Sequence, residues 1–256
     1  DARRVLQLTQ QLRPERQPRI ELHDNRQPIF DTYGVEVEIE RALDPKVWLK
    51  SGGSIVIQET EALTVIDVNS GKYVGKTTLE DTITVVNLEA VKEIVYQLRL
   101  RNLGGIVIID FIDMKEQNNR DKVLASLEEA LRRDKAKTSI IRMSEIGLVE
   151  MTRRRVRESL THVLTETCSY CRGRGWIKSA ETVANRSLRE LGRALTKSPC
   201  ESILLNLHPD VADYLYESQA AAVEALEQQF HVSIIPVARQ GFHREQLEIV
   251  KKENHG

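Results

Sequence analysis

The chain contains Leu63-Thr64-Val65-Ile66-Asp67-Val68-Asn69-Ser70-Gly71, an apolar run that ends in an acid and an amide. Its β-branched residues predict a strand, and side chains alternate along a strand, so Asp67 and Asn69 share one face. A carboxylate among apolar neighbours costs several kcal/mol unless it is paired or binds a cation. The fold must therefore bring a partner to Asp67.

A second apolar run, Ile106-Val107-Ile108-Ile109-Asp110, also ends in an acid and is typical of a central strand. If the two strands are neighbours, Asp67 and Asp110 converge at one edge of the sheet. With Asn69 they form a cluster of oxygen ligands, which suits Mg²⁺ or Mn²⁺ and leaves positions for water and a phosphate oxygen. The sequence predicts a phosphodiesterase-type site; acids that cap helices or pair with arginine are the alternative. Asp113, expected on the opposite face, is assigned a structural part.

The periodicity of apolar residues predicts an α/β fold. Steps of three or four residues from Leu79 to Leu98 indicate a long amphipathic helix. A helix over 119–133 and a strand over 138–142 continue the alternation, so we expect a mixed α/β (α+β) fold whose sheet is buried on both faces. After a glycine-rich stretch, a small α/β unit follows. Its predicted elements are a helix over 181–195, a strand over 203–207, a helix over 212–230 and strands over 232–237 and 246–250.

Composition argues against a membrane protein and against a broadly basic nucleic-acid binder. The sequence of 256 residues has no run of 18 or more uncharged apolar residues, and it carries 37 basic against 38 acidic residues. Any affinity for nucleic acid must therefore come from local clusters. The first residue is Asp1 rather than methionine or the start of a signal peptide, and we expect a cytosolic, truncated protein.

One basic cluster lies between Arg132 and Arg157, with nine Lys or Arg against three acids. Arginine offers paired donors to phosphates and releases counterions on binding, so the cluster is a candidate RNA contact. A solvated basic helix face is the alternative. A flexible loop beside the metal site adds Lys72, although it lacks the ending of a nucleotide P-loop. The candidate RNA-binding residues are Lys72, Lys137, Arg153, Arg154, Arg155 and Arg157.

Cys168 and Cys171, followed by Gly173 and Gly175, form a Cys-x-x-Cys-x-Gly-x-Gly motif that is typical of a zinc knuckle. In a reducing compartment this spacing indicates a metal rather than a disulfide. The motif supplies two ligands, a structural Zn²⁺ takes four, and Cys200 is isolated in the sequence. A symmetric dimer can complete the site with the same cysteines of a partner. A knuckle without metal is the alternative.

Several stretches, taken in order, resemble the catalytic core of the ribonuclease E and ribonuclease G family. They are Ser51-Gly-Gly-Ser-Ile-Val-Ile, Thr60-Glu-Ala-Leu-Thr-Val-Ile-Asp-Val-Asn-Ser-Gly, Asn87-Leu-Glu-Ala, Gln97-Leu-Arg-Leu-Arg-Asn-Leu-Gly-Gly and Ile109-Asp-Phe-Ile-Asp-Met. The resemblance implies that Asp67 and Asp110 bind a catalytic Mg²⁺ and that Asn69 helps to position the site. It also implies that Cys168 and Cys171 share one Zn²⁺ between two subunits.

The resemblance implies an endoribonuclease in which a metal-activated water attacks the scissile phosphate and leaves 5′-phosphate and 3′-hydroxyl ends. The implied substrates are single-stranded, AU-rich RNA segments in messenger RNA decay and in rRNA and tRNA processing. The implied location is the cytoplasm, bacterial or as an organellar stroma, with peripheral membrane attachment open for the full-length protein. Partners in an RNA-degradation complex are expected to bind regions that this sequence does not contain.

The same resemblance divides the chain into four parts. They are a partial RNase H-like subdomain (1–42), a deoxyribonuclease-I-like catalytic subdomain (43–164), a zinc link (165–178) and a small α/β oligomerisation domain (179–256) that joins dimers into a dimer of dimers. We expect an OB-fold RNA-binding domain and most of a 5′-end sensor to precede Asp1. Lys137 stands where a sensor arginine is expected, and a lysine lacks the planar fork of arginine.

Two other functions stay open at this point. A truncated module that binds RNA and assembles through zinc without cutting is the main alternative, because a domain is expected to be missing. A metal phosphatase for small molecules is a second alternative, but it does not explain the basic run from Arg132. Cleavage of a single-stranded oligonucleotide with and without Mg²⁺ separates the first alternative from the enzyme.

Overall fold

The computed structural model describes residues 4–5, 7–8, 23, 26–71, 79–144 and 146–252. Lys72, a candidate RNA contact, lies outside these residues. The chain separates into two compact units, residues 1–165 and residues 166–256. Each unit combines helices with a mixed sheet, which confirms the predicted α/β class. Within the described ranges, none of the helices has the length and hydropathy that a membrane crossing requires.

The first unit alternates helices and strands. Its described elements are α1 (Ile29–Thr32), α2 (Val35–Leu43), β1 (Lys46–Trp48), β2 (Ser54–Glu59), β3 (Leu63–Asn69), α3 (Leu79–Leu100), β4 (Gly105–Asp110), α4 (Gln117–Leu131), β5 (Thr138–Met143), β6 (Leu148–Arg153) and α5 (Leu160–Leu164). The strands form one sheet in the order β1-β2-β3-β4-β6-β5. Strands β3 and β4 run parallel, so their carboxyl ends meet at the same edge at the centre of the sheet.

One face of this sheet packs against α3 and α4 and forms the core of the first unit. Burial alternates along the central strands, so that Ile66, Val107 and Ile109 are fully buried and join Ile94 of α3 in one apolar cluster. On the opposite face Ile106 is 48% exposed. The prediction of a sheet buried on both faces is therefore wrong for the described residues, because both long helices cover the same face.

Strand β6 is an element that the sequence analysis did not predict. It overlaps the basic cluster, for which a helix face was the alternative interpretation. Val149, Met151 and Arg153 are buried in alternation, which is the two-residue period of a strand. The sequence did not reveal this pattern because Arg153 occupies one of the buried positions, and charged residues are expected to face solvent.

The second unit is smaller and contains three helices and three strands in its described residues. They are α6 (Ala180–Lys197), β7 (Ser202–Leu207), α7 (Pro209–Ser218), α8 (Ala220–Phe230), β8 (Ser233–Ala238) and β9 (Leu247–Lys252). Strand β7 is central, parallel to β8 and antiparallel to β9. The predicted helix over 212–230 is in fact two helices that meet at Gln219, whose φ of −128° and ψ of 16° are not helical. Neither Gly nor Pro marks this break, so periodicity alone did not reveal it.

Candidate functional site

The two acids predicted to meet do lie side by side. Strands β3 and β4 pair in parallel with Asp67 opposite Asp110, one residue pair beyond Ile66 and Ile109. The buried isoleucines hold the strands in register, because a shift by one residue would turn them to the opposite face. The same register that buries the isoleucines therefore places both carboxylates at the open edge.

Asn69 orients one of these carboxylates. Its Nδ2 donates a hydrogen bond of 2.8 Å to Asp67 Oδ2, and the two residues share a face of β3, as the alternation of a strand requires. This contact restrains the Asp67 side chain in one orientation. Sequence reasoning anticipated that Asn69 would lie beside the acids, whereas its direct bond to Asp67 became visible only in the structure.

The pair carries unfavourable electrostatics that a cation would relieve. Burial raises the pKa of Asp110, and the neighbouring negative charges of Asp67 and Asp113 raise it further. Asp113, predicted to be structural, thus acts on the site through its charge. The described residues contain no group of three or more His, Cys, Asp or Glu side chains close enough to hold a metal ion. A Mg²⁺ ion fits this donor set, since it is commonly bound through one or two carboxylates, with waters and substrate phosphates as its other ligands.

Glycines allow the loop between β1 and β2 to lie against the end of β3. A Cβ atom on Gly53 would lie 2.7 Å from the carbonyl oxygen of Asn69, and one on Gly71 would overlap the backbone of Gly52. Gly71 also has a φ of 64°, which disfavours any residue with a side chain. The end of β3, which carries Asp67 and Asn69, therefore packs directly against the backbone of the loop between β1 and β2.

The basic candidates fall into two groups. Arg153 is 5% exposed, and it forms an ion pair of 2.7 Å with Asp134 and donates to the Leu103 carbonyl oxygen, so it has a structural role. Lys137, Arg154 and Arg155 are exposed and line an open depression of about 700 Å³ on the first unit. Arg157 is exposed as well.

The cysteine motif forms a tight turn in the second unit. Arg172, Gly173 and Gly175 all have positive φ angles of 54°, 77° and 75°. The Gly175 N–H donates to Cys171 Sγ over 3.4 Å. This backbone hydrogen bond, helped by one from Cys168 and opposed by burial, lowers the pKa of the Cys171 thiol. The turn therefore favours the thiolate form that a Zn²⁺ ion requires, and two thiolates leave two further ligands to be supplied from elsewhere.

The knuckle is docked on the small domain through contacts that sequence reasoning missed. The ring of His243 bonds to the Tyr170 carbonyl oxygen through Nε2 at 2.7 Å, and its Nδ1 accepts from the Glu245 N–H. Glu245 in turn forms ion pairs with Lys178 and Arg174. His243 thus carries its proton on Nε2, and both ring nitrogens are used in bonds that hold the knuckle against the small domain, so neither binds a metal. No spacing in the sequence signals these long-range contacts.

Taken together, the first unit is an α/β fold with a pair of carboxylates at neighbouring strand ends, a donor set that suits a hard divalent cation. Comparison with known proteins identifies the family. The family model described as Ribonuclease E/G family matches residues 1–156, and the model described as RNase E/G, Thioredoxin-like domain matches residues 167–253. The chain therefore belongs to the ribonuclease E/G family.

Three relatives with ribonuclease E or G in their names match between 75% and 96% of the chain. Ribonuclease G of Salmonella typhimurium is 45% identical over 250 residues, which are 96% of this chain and 50% of the relative. Ribonuclease E of Haemophilus influenzae is 38% identical over 224 residues, 88% of this chain and 24% of the relative. A chloroplastic ribonuclease E/G-like protein of Arabidopsis thaliana is 40% identical over 195 residues, 75% of this chain and 20% of the relative. The chain spans about half of the length of the ribonuclease G relatives.

Proposed function

We propose that this chain supplies the catalytic part of a Mg²⁺-dependent endoribonuclease that cuts single-stranded RNA. The observation that carries the proposal is the parallel register that sets Asp67 opposite Asp110 at the edge of the sheet. Two adjacent carboxylates with an oriented amide beside them are the donors that Mg²⁺ takes in phosphodiester hydrolysis. Membership in the ribonuclease E/G family supports RNA as the substrate.

In this proposal each residue of the site has a defined part. Asp67 and Asp110 hold the ion, and Asn69 keeps the Asp67 carboxylate in place through its 2.8 Å hydrogen bond. When bound, Mg²⁺ supplies an activated water and stabilises charge on the scissile phosphate. The proposed products carry 5′-phosphate and 3′-hydroxyl ends. The proposed substrates are AU-rich segments in messenger RNA decay and in rRNA and tRNA processing.

The exposed basic residues are the proposed contacts for RNA phosphates. Lys137, Arg154 and Arg155 line one depression, and Arg157 is exposed close by in sequence. We leave Arg153 out of this set because Asp134 already neutralises it and it is buried. Contacts of this kind position the RNA strand and weaken as salt concentration rises, because binding releases counterions.

The proposed assembly uses both parts of the second unit. Cys168 and Cys171 of two subunits together provide four thiolates for one shared Zn²⁺, which gives a homodimer.

A row of apolar side chains crosses the open face of the small sheet, where Leu204 lies between Ile235 and Val250. Ile235 and Val250 are 42% and 37% exposed, so we propose this row as the surface that joins two dimers. The proposed location is the cytoplasm, a reducing compartment in which a Cys-x-x-Cys pair binds metal rather than forming a disulfide.

Cleavage of a fluorescent single-stranded oligonucleotide tests the proposed activity. The chain should cut the oligonucleotide in the presence of Mg²⁺, and added EDTA should stop the reaction. A product ladder with 5′-phosphate ends, read by its susceptibility to a 5′-phosphate-dependent exonuclease, checks the proposed chemistry. Equal cleavage with and without a divalent cation would remove the metal from the mechanism.

A second candidate function is an RNA-binding and zinc-linked assembly module that does not cut. The exposed residues Lys137, Arg154 and Arg155 and the turn of Cys168 and Cys171 could serve binding and assembly without catalysis. Binding of the oligonucleotide without cleavage at any Mg²⁺ concentration would favour this module. The intact Asp67 and Asp110 pair supports the enzyme over the module.

A further inference from the structure

Helix α3 carries a fully buried amide that is bonded to the segment directly after Asp110. Asn87 Nδ2 donates to the Ile112 carbonyl oxygen over 2.9 Å, and Asn87 Oδ1 accepts from the Ile112 N–H over 3.1 Å. Asn87 is 0% exposed. The side chain therefore satisfies both backbone groups of a single residue, as a neighbouring strand would do.

The segment that Asn87 holds has little regular structure of its own. Residues 111–116 follow the end of β4 and precede α4, and Phe111 and Met114 anchor them in the core. Glu80, at the start of α3, accepts from the backbone N–H groups of Lys115 and Glu116 and so holds the far end. The direction in which the chain leaves Asp110 is thus set by side chains of α3.

The same helix also holds the backbone on the other side of the site. Glu89 accepts from the N–H groups of Lys50 at 2.6 Å and Ser51 at 3.0 Å. This loop continues to Gly53, which packs against the carbonyl oxygen of Asn69. Asn87 and Glu89, two residues apart, therefore each hold a backbone segment that adjoins one of the two strand ends that carry the carboxylates.

We propose that Asn87 and Glu89 are positioning residues of the metal centre, which act through the Ile112 segment and the Lys50–Gly53 loop rather than by touching the ion. This inference rests on the proposed function, because it assumes that Asp67 and Asp110 bind a divalent cation. It also assigns a role to the stretch Asn87-Leu-Glu-Ala, which the metal site itself leaves without one. Partners that bond directly to metal ligands change metal affinity by about ten- to a hundredfold when they are removed, and residues that hold the backbone beside the ligands are expected to act in the same direction.

Direct binding of Mn²⁺, followed by electron paramagnetic resonance, tests the inference without relying on activity. Asn87→Leu keeps the size of the side chain and removes both hydrogen bonds, so the dissociation constant for Mn²⁺ should rise about tenfold or more. Glu89→Gln should raise it as well, because the charge that strengthens its two bonds is lost. Cleavage at saturating RNA should then require a correspondingly higher Mg²⁺ concentration for half-maximal rate.

Gln97→Leu is the matched control. Gln97 is also a buried amide of α3, but it bonds to Glu93 and Arg101, ten residues along the helix from Asn87. Its loss should lower thermal stability without changing the dissociation constant for Mn²⁺. If Asn87→Leu fails to fold, Asn87→Ser keeps a small polar side chain in the same place and should still weaken the binding of Mn²⁺.

The outcomes separate the inference from the function on which it rests. Binding of Mn²⁺ to the unaltered chain that Asp67→Asn and Asp110→Asn do not weaken would overturn the proposed metal site itself. Binding that depends on both acids but is equal in Asn87→Leu, Glu89→Gln and Gln97→Leu would overturn only the positioning role. Weaker binding in the first two variants, at unchanged affinity in Gln97→Leu, is the result that we expect.

Discussion

At the scale of single residues, the candidate site places two acidic side chains, Asp67 and Asp110, where their negative charges repel each other. Asp67 and Asp110 lie opposite each other on paired strands, and partial burial together with the negative charge of Asp67 raises the pKa of Asp110. Nothing in the packing of the apolar core requires acids there, and residues such as Asn would relieve the repulsion. A site that is unfavourable without its ligand is typical of function rather than of stability.

Asp67→Asn and Asp110→Asn test this at the level of the side chain. Each change removes one proposed carboxylate ligand while keeping the shape of the side chain, so the cleavage rate should fall by about a thousandfold or more, as expected when several kcal/mol of transition-state stabilisation are lost. Without divalent cations, Asp110→Asn should unfold at the same temperature as the unaltered chain or at a higher one, because the repulsion is gone. Cleavage that survives either change at ordinary Mg²⁺ would exclude that residue from the site.

At the scale of elements, a buried ion pair ties β6 to the connection between α4 and β5. Asp134 accepts from Arg153 at 2.7 Å, and their side chains are 3% and 5% exposed. Burial would raise the pKa of Asp134, but hydrogen bonds from Arg153 and from the Ala136 N–H, together with the charge of Arg153, lower it below its ordinary value. This pair explains why β6, an inner strand within the basic cluster, can bury an arginine.

Asp134→Asn should reduce the free energy of unfolding at pH 7 by about 3 kcal/mol, because it leaves the buried Arg153 charge without its partner. Since the pKa of Asp134 is lowered on folding, its contribution is complete above about pH 4 and is lost as pH falls through the folded value. The free energies of unfolding of the variant and of the unaltered chain, both measured with urea, should therefore differ less below pH 4 than at pH 7.

An exposed ion pair between Arg142 of β5 and Glu150 of β6 provides the control for this measurement. The side chain of Arg142 is 68% exposed, so Arg142→Gln should leave the free energy of unfolding almost unchanged. Equal losses in Asp134→Asn and Arg142→Gln would show that burial does not strengthen the Asp134 pair.

At the scale of the whole molecule, the proposed zinc site at Cys168 and Cys171 would connect folding to assembly. The Gly175 N–H bonds to the Cys171 thiol, and bonds from Tyr170 to His243 and to the Arg244 N–H dock the knuckle on the small domain. Two cysteines in one chain do not complete a tetrahedral site. If one Zn²⁺ ion is shared between two subunits as proposed, zinc content and oligomeric state must change together.

Cys168→Ala should release zinc and lower the mass in solution by at least half, because each shared ion loses one thiolate from both subunits. Zinc content by mass spectrometry and mass by light scattering check both effects, and one Zn²⁺ per two unaltered chains is expected. Cys200→Ala is the matched control, since Cys200 packs beside the core of the small domain and should leave metal and mass unchanged. A Cys168→Ala chain that keeps both its zinc and its size would contradict the shared site.

Local patterns in the sequence were sufficient for much of this description. The apolar runs ending in Asp67 and Asp110 predicted two strands, the three- and four-residue steps predicted α3, and the spacing of Cys168 and Cys171 predicted the knuckle, because these signals depend on neighbours in sequence. The order of the strands, the burial of Arg153 and the bonds from Asn87 to Ile112 were decided only by tertiary structure. These features join residues that are distant in the chain, and their energies depend on which groups packing removes from water.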